Sequence, residues 1–70
     1  MTVLRIRLHR GTRHIDVAVD GALALAELAP RLSDRPVTQV LDGLRPLVLG
    51  PVGLREQGVV DGADVRIVEA

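Results

Sequence analysis

Leu25-Ala26-Glu27-Leu28-Ala29-Pro30-Arg31-Leu32 decides the fold, because it is the stretch where a strand-patterned chain changes period. Leu25, Leu28, Ala29 and Leu32 stand at i, i+3, i+4 and i+7, one stripe of an α-helix. Glu27 and Arg31 lie four apart on the wetter side, with the acid nearer the N-terminus, the more favourable order. Proline inside a helix costs on the order of 3 kcal/mol. Pro30 is tolerable if the helix starts near Ala24 or Leu25, so that one early hydrogen bond is lost. Ser33 to Pro36 ends it, since Pro36 biases Arg35 away from helical geometry.

On the N-terminal side the period is two. Leu4, Ile6 and Leu8 alternate with Arg5, Arg7 and His9, which predicts a strand with one wet face. Arg10-Gly11-Thr12 is a short break with a glycine able to take positive φ. Alternation resumes with Ile15, Val17 and Val19 inward and His14, Asp16 and Ala18 outward, so the two runs form an antiparallel hairpin. Asp20-Gly21 closes it.

On the C-terminal side, Val37 to Leu41 is β-prone and ends at the turn dipeptide Asp42-Gly43. Leu44 to Leu49 reads as a short strand, weakened by Pro46, which belongs on an edge or at a bulge. Gly50-Pro51-Val52-Gly53 is a loop, and Leu54 to Val60 a compact turn with a helical turn around Arg55 to Gln57. After Asp61-Gly62, Val65 and Ile67 alternate with Arg66 and Val68 in a last strand. The order is β-β-α-β-β-β, without repeat, low-complexity tract or linker, which predicts one domain over residues 1–70.

Seventy residues with zero formal net charge and 47% apolar content allow a single core. Domains near this size bury only roughly 60% of their unfolded surface, which leaves little room for a deep substrate cleft. The chain has no Cys, so it holds neither a disulfide framework nor a thiolate metal site. It has no Phe, Trp or Tyr, which removes base stacking as a route to single-stranded nucleic acid. All nine cations are Arg, balanced by nine acids, so no large field demands a polyanion or an anionic membrane. No run approaches the roughly 20 apolar residues of a membrane helix, and Arg5 and Arg7 interrupt any signal-peptide core. The expected setting is cytoplasmic, with membrane association only through a partner or a region beyond Ala70.

The element order fits a mixed sheet of four to five strands curled around one helix, the α+β arrangement called β-grasp. The helix crosses over so that the final strand returns beside the first, with the usual right-handed sense. Leu25, Leu28 and Leu32 are then expected to pack on Leu4, Ile6, Ile15, Val17, Val65 and Ile67.

Here the sequence resembles the ubiquitin-like superfamily over nearly its whole length. The run from Val19 to Leu25, Leu28 and Leu32 has the spacing of ubiquitin-like domains, and Gly43 and Leu47 look like the Gly…Leu of their short strand. Leu54-Arg55-Glu56-Gln57-Gly58-Val59-Val60-Asp61-Gly62-Ala63-Asp64-Val65-Arg66-Ile67 is similar to the L-x-x-x-G-V-x-D-G-x-x-L-x-L ending of bacterial members. With Leu25-Ala26-Glu27-Leu28-Ala29-Pro30, it looks most like the YukD-like proteins and the EccD ubiquitin-like domain of type VII secretion. The loop Gly50 to Gly53 departs from that pattern in its Gly/Pro content.

The resemblance implies either an interaction module or a modifier or sulfur carrier. The modifier branches act through a C-terminal Gly-Gly, whereas Ile67-Val68-Glu69-Ala70 closes this sequence; if Ala70 is the natural end, that branch is disfavoured. Catalytic signals are weak. His9 and His14 flank the hairpin turn, but no acid or thiol obviously completes the three or four ligands a metal needs. Ser33 lies in no nucleophile-elbow motif. Asp42, Asp61 and Asp64 are read as turn chemistry. The expectation is a non-enzyme without cofactor or metal.

What remains is the outer face of the sheet. Arg5, Arg7 and Arg66 share outward parity on strands expected to be adjacent, with His9 and His14 nearby on the hairpin and Val68 as an apolar spot. Arg favours interfaces because its planar fork pairs with carboxylates and still packs well. The resemblance implies that this face meets a protein partner, here one with an acidic surface; no nucleic acid is expected. Self-association into a homodimer is left open by the edge of the short Pro46 strand.

Overall fold

The alternating N-terminal residues form the expected hairpin in the structure, a computed structural model that describes residues 2–70. Strand β1 (Val3–Arg10) pairs antiparallel with β2 (Arg13–Asp20), with Arg10 opposite Arg13 across the turn. Gly11 takes a φ of 59° at the first turn position, the placement a two-residue hairpin favours. Helix α1 (Leu25–Leu32) follows, then β3 (Val37–Asp42), β4 (Arg45–Leu47) and β5 (Ala63–Glu69). The strands lie side by side in the order β2-β1-β5-β3-β4. The β1–β5 pair is parallel, with Leu8 beside Val65, and the other pairs are antiparallel.

The buried side is wholly aliphatic. Leu4, Ile6 and Leu8 of β1, Val65 and Ile67 of β5, Val40 of β3 and Leu47 of β4 meet Leu25 and Leu28 of the helix. Leu54 and Val59 join from the segment before β5, and Val17, Val19 and Leu32 pack at its margin. Each fully buried aliphatic side chain contributes roughly 1.5–3 kcal/mol against chain entropy.

Ile15 corrects the expected core: it has the inward parity but is 58% exposed. The helix is eight residues long, about 12 Å at 1.5 Å per residue. Strands stand about 4.8 Å apart, so so short a helix does not roof the turn end of the outermost strand. A second correction concerns the Leu44 to Leu49 strand, which is cut to Arg45–Leu47. Leu44 sits in the turn and is 96% exposed.

The loop Gly50 to Gly53 explains how the helix starts. Ala24 at the N-cap offers no side-chain oxygen, and the first free backbone donors of a helix need acceptors. Leu25 N donates to Val52 O at 3.0 Å and Ala26 N to Gly50 O at 3.1 Å. Gly53 bridges to Ala24, and a Cβ there would stand 2.6 Å from Gly21 O. Gly53 is therefore a close-approach requirement. Pro30 falls in the sixth helical position, where its missing N–H removes the one bond to Ala26 O. At the other end Ser33 Oγ donates to the Glu69 carboxylate and accepts from Arg35 N, tying the helix exit to β5.

Candidate partner-binding face

Strand parity puts two rows of polar side chains on the face opposite the helix. One row runs Asp16, Arg7, Asp64 across β2, β1 and β5. The next runs His14, His9, Arg66, Leu41, Pro46 across all five strands. Val68 follows beside Gln39 and is 38% exposed.

Arg7 Nε donates to Asp16 Oδ1 at 3.2 Å. His9 Nε2 donates to Asp64 Oδ1 at 2.8 Å. That bond holds the Asp64 carboxyl below its ordinary range against the opposing cost of desolvation, and the charges of His9, Arg7 and His14 add to the lowering. The His9 and His14 rings sit 5.6 Å apart, tilted by 38°. Arg66 Nη1 donates to Gly11 O at 3.3 Å, which draws it over the hairpin turn.

All five expected binding residues, Arg5, Arg7, His14, Arg66 and Val68, are exposed on this face. They do not form one cluster of guanidinium groups. Arg66 stands beside His9, and Arg5 lies four residues back along β1, a separation of about 13 Å at 3.3 Å per residue. Asp16 and Asp64 stand in the intervening row. Arg5 is the arginine of this face with neither an ion pair nor a guanidinium hydrogen bond among the described residues; its backbone alone is engaged, the N–H donating to Asp61 Oδ1 at 3.0 Å and the C=O accepting from Gly62 N at 2.8 Å. Reading the sequence for cations passed over Asp64 and Leu41. The shared outward parity of Asp64 and Arg66 on one strand was the available signal for the first of these.

Elsewhere the surface is shallow. A groove of about 570 Å³ runs along the helix exit, lined by Ala29, Pro30, Ser33, Val37 and Leu49 with Asp34 as its carboxylate. It contains no histidine, and its one hydroxyl is tied to Glu69. Among the described residues no three His, Cys, Asp or Glu side chains converge to hold a metal ion. No helix among them is long and apolar enough to cross a membrane.

Comparison with solved structures sets this arrangement beside known ones. The ubiquitin-like domain of the Arabidopsis thaliana protein At2g32350 matches with a TM-score of 0.80 at 14% identity, over 99% of this chain and 79% of that one. The fold is the ubiquitin-like β-grasp. The ubiquitin-like domain of the Mycobacterium tuberculosis type VII secretion system protein EccD1 matches at 24% identity with a TM-score of 0.71. That match spans 99% of this chain and all of the other. Protomer 1 of the ESX-3 core complex matches at 24% identity and a TM-score of 0.78, over 97% of this chain but 16% of that one. No protein-family model matches the chain, and no curated protein matches it in sequence. In this ubiquitin-like fold the helix covers one side of the sheet, so the two polar rows occupy the side left open.

Proposed function

We propose that the chain is a non-catalytic protein–protein interaction module, one ubiquitin-like unit over residues 1–70, that docks an acidic partner surface on the open side of its sheet. The observation that carries this reading is the row His14, His9, Arg66, Leu41 with Val68 next to it. It sets imidazole and guanidinium donors around the half-buried Leu41 and the exposed Val68, the mixture that protein interfaces use. Arg5, with no carboxylate among the described residues to satisfy its guanidinium, supplies a second anchor, and Arg7 lends a contact that competes with Asp16. Such pairing gives specificity and on-rate more than raw affinity. No catalytic residue, cofactor or metal enters this reading.

The type VII secretion domains among the structural matches support a narrower form of it, in which the unit is a cytoplasmic component or domain of such an assembly, held at the membrane by its partners. Reading frames beside this one that encode secretion components would agree with that; their absence would count against it. The docking face is tested by charge reversal, Arg5→Glu with Arg66→Glu. Loss of the species co-purified with the unaltered chain, with unchanged circular dichroism, is the expected result. Undiminished capture rejects the face. An ATP-dependent mass increase on the chain in lysate would instead favour the modifier or sulfur-carrier branch.

A further inference from the structure

The hairpin leaves β2 with β1 as its only strand neighbour among the described residues. A two-residue turn makes Arg10–Arg13 a hydrogen-bonded pair, and such pairs alternate along an antiparallel ladder. Arg13, Ile15, Val17 and Val19 therefore direct their backbone groups to β1. His14, Asp16, Ala18 and Asp20 direct theirs to the open edge. Eight residues long, this edge has no Pro, no Lys and no bulge, three of the devices that ordinarily blunt an exposed strand; its charges, Arg13 of inward parity and Asp16 and Asp20 of outward parity, leave Ile15, Val17 and Val19 as an apolar inward run. Its inward-facing Ile15 is 58% exposed.

A second copy of the same strand fits it, and the fit selects one register. A two-fold axis perpendicular to the sheet keeps both helix-facing sides together, so opposed residues must share parity and the axis must pass through a residue. An axis at Asp16 opposes that carboxylate to itself. An axis at Ala18 opposes Asp16 to Asp20. An axis at Ile15 gives a single apolar pair and sets Arg13 against Val17. An axis at Val17 opposes Val17 to Val17, Ile15 to Val19 twice, and His14 to Asp20 twice. It also places Asp16 across from the Ala18 methyl, with Arg5 the next side chain along that row. Strand spacing of about 4.8 Å puts Arg5 and the Asp16 of the second copy about 10 Å apart at their Cα atoms, within reach of an extended arginine.

We propose that β2 is a self-docking edge: two copies join β2 to β2, antiparallel, about a two-fold axis through Val17. The sheet then runs through both molecules, an isologous interface in which each contact occurs twice. Ile15 gains the cover that the helix does not give it. Arg66, Leu41 and Val68 remain open on the outer face, while Arg5 and His14 lie where the docking face meets the dimer seam.

Because the chain has no cysteine, single introduced cysteines report the register. Val17 would meet its counterpart as a non-hydrogen-bonded pair with Cα atoms about 4.5 Å apart, inside the range of a disulfide. Val17→Cys is expected to give a covalent dimer under mild oxidation. Ile15→Cys alone is not, but mixed with Val19→Cys it is. In sedimentation the unaltered chain should reach twice the monomer mass as concentration rises. Ala18→Pro removes an edge donor that makes no bond to β1, so it should stay folded by circular dichroism and return to the monomer mass. A monomer at every concentration, equal crosslinking at positions 15 and 17, or a dimer indifferent to Ala18→Pro overturns the proposal. In the first case the edge is left for a foreign strand.

Discussion

Leu8 and Ile15 face each other across the hairpin on the same side of the sheet, yet one is 3% exposed and the other 58%. Sequence pattern treats them alike, and what separates them is one strand spacing under a short helix. Leu8 lies on β1, between β2 and the central β5, in the core with the helix leucines. Ile15 lies one strand further out. The two margins of the sheet differ in the same way. β4 has three residues, includes Pro46, and is followed by a segment held by a side chain: Gln57 Nε2 donates to Val48 O at 3.0 Å, and Gln57 Oε1 accepts from Val48 N at 2.7 Å. One amide thus occupies both backbone groups of Val48, as a neighbouring strand would. Among the described residues β2 has no such cover. The difference teaches that this small fold closes one edge with its own residues and leaves the other open.

Truncation breaks the comparison most sharply. Leu8→Ala is expected to cost about 2–5 kcal/mol, the range for a buried leucine whose site relaxes only in part. In a domain this small that loss can unfold the chain, so urea denaturation against the unaltered protein is the measurement. Ile15→Ala should cost under about 1 kcal/mol in the dilute monomer, the scale of a cross-strand pair on an open face. Equal losses at the two positions would mean that Ile15 is covered even in the monomer, and the contrast between centre and edge would disappear.

At the closed margin a smaller effect is expected. Gln57→Ala removes both bonds to Val48 and a third to Val52 O at 3.3 Å. Because water can reach an exposed Val48, the loss should be about 1 kcal/mol, near the net worth of an ordinary hydrogen bond. Hydrogen exchange at the Val48 amide should accelerate more than at Leu47. Unchanged exchange at Val48 would show that Gln57 does not close this edge.

The elements most legible in the sequence were those governed by local period. β1, β2 and β5 follow from alternation at Leu4 to Leu8, Ile15 to Val19 and Val65 to Ile67, and the helix from the Leu25 stripe. The parallel neighbourhood of β1 and β5 followed from topology, and it placed Arg5, Arg7 and Arg66 on one face. The rest depended on position across the sheet, which periodicity does not encode. Ile15 carries the same inward parity as Leu8, so no local pattern separates them. The helix start has no side-chain cap at Ala24, and its acceptors come from Gly50 and Val52, far along the chain. The interleaving of Asp16 and Asp64 between the cations depends on register, which sets Arg7 rather than Arg5 between two carboxylates.

That interleaving gives the smallest expected effect, and it separates the centre of the outer face from its margin. Asp64, on the central strand β5, has its carboxyl held below the ordinary range, chiefly by the His9 hydrogen bond. In the unfolded chain the same carboxyl titrates at about 3.9. As pH falls through that region the unfolded chain takes up the proton first, so stability contributed by the folded ion pair begins to decline. It is lost once pH passes through the lower, folded range. Denaturation midpoints measured between about pH 5 and pH 2 should therefore fall less steeply for Asp64→Asn than for the unaltered chain. Because both side chains meet solvent, the difference should be slight and should shrink as salt screens the pair. Identical slopes for the two proteins would mean that the His9 contact contributes nothing to folding. The central row would then be as loosely held as the open edge beside it.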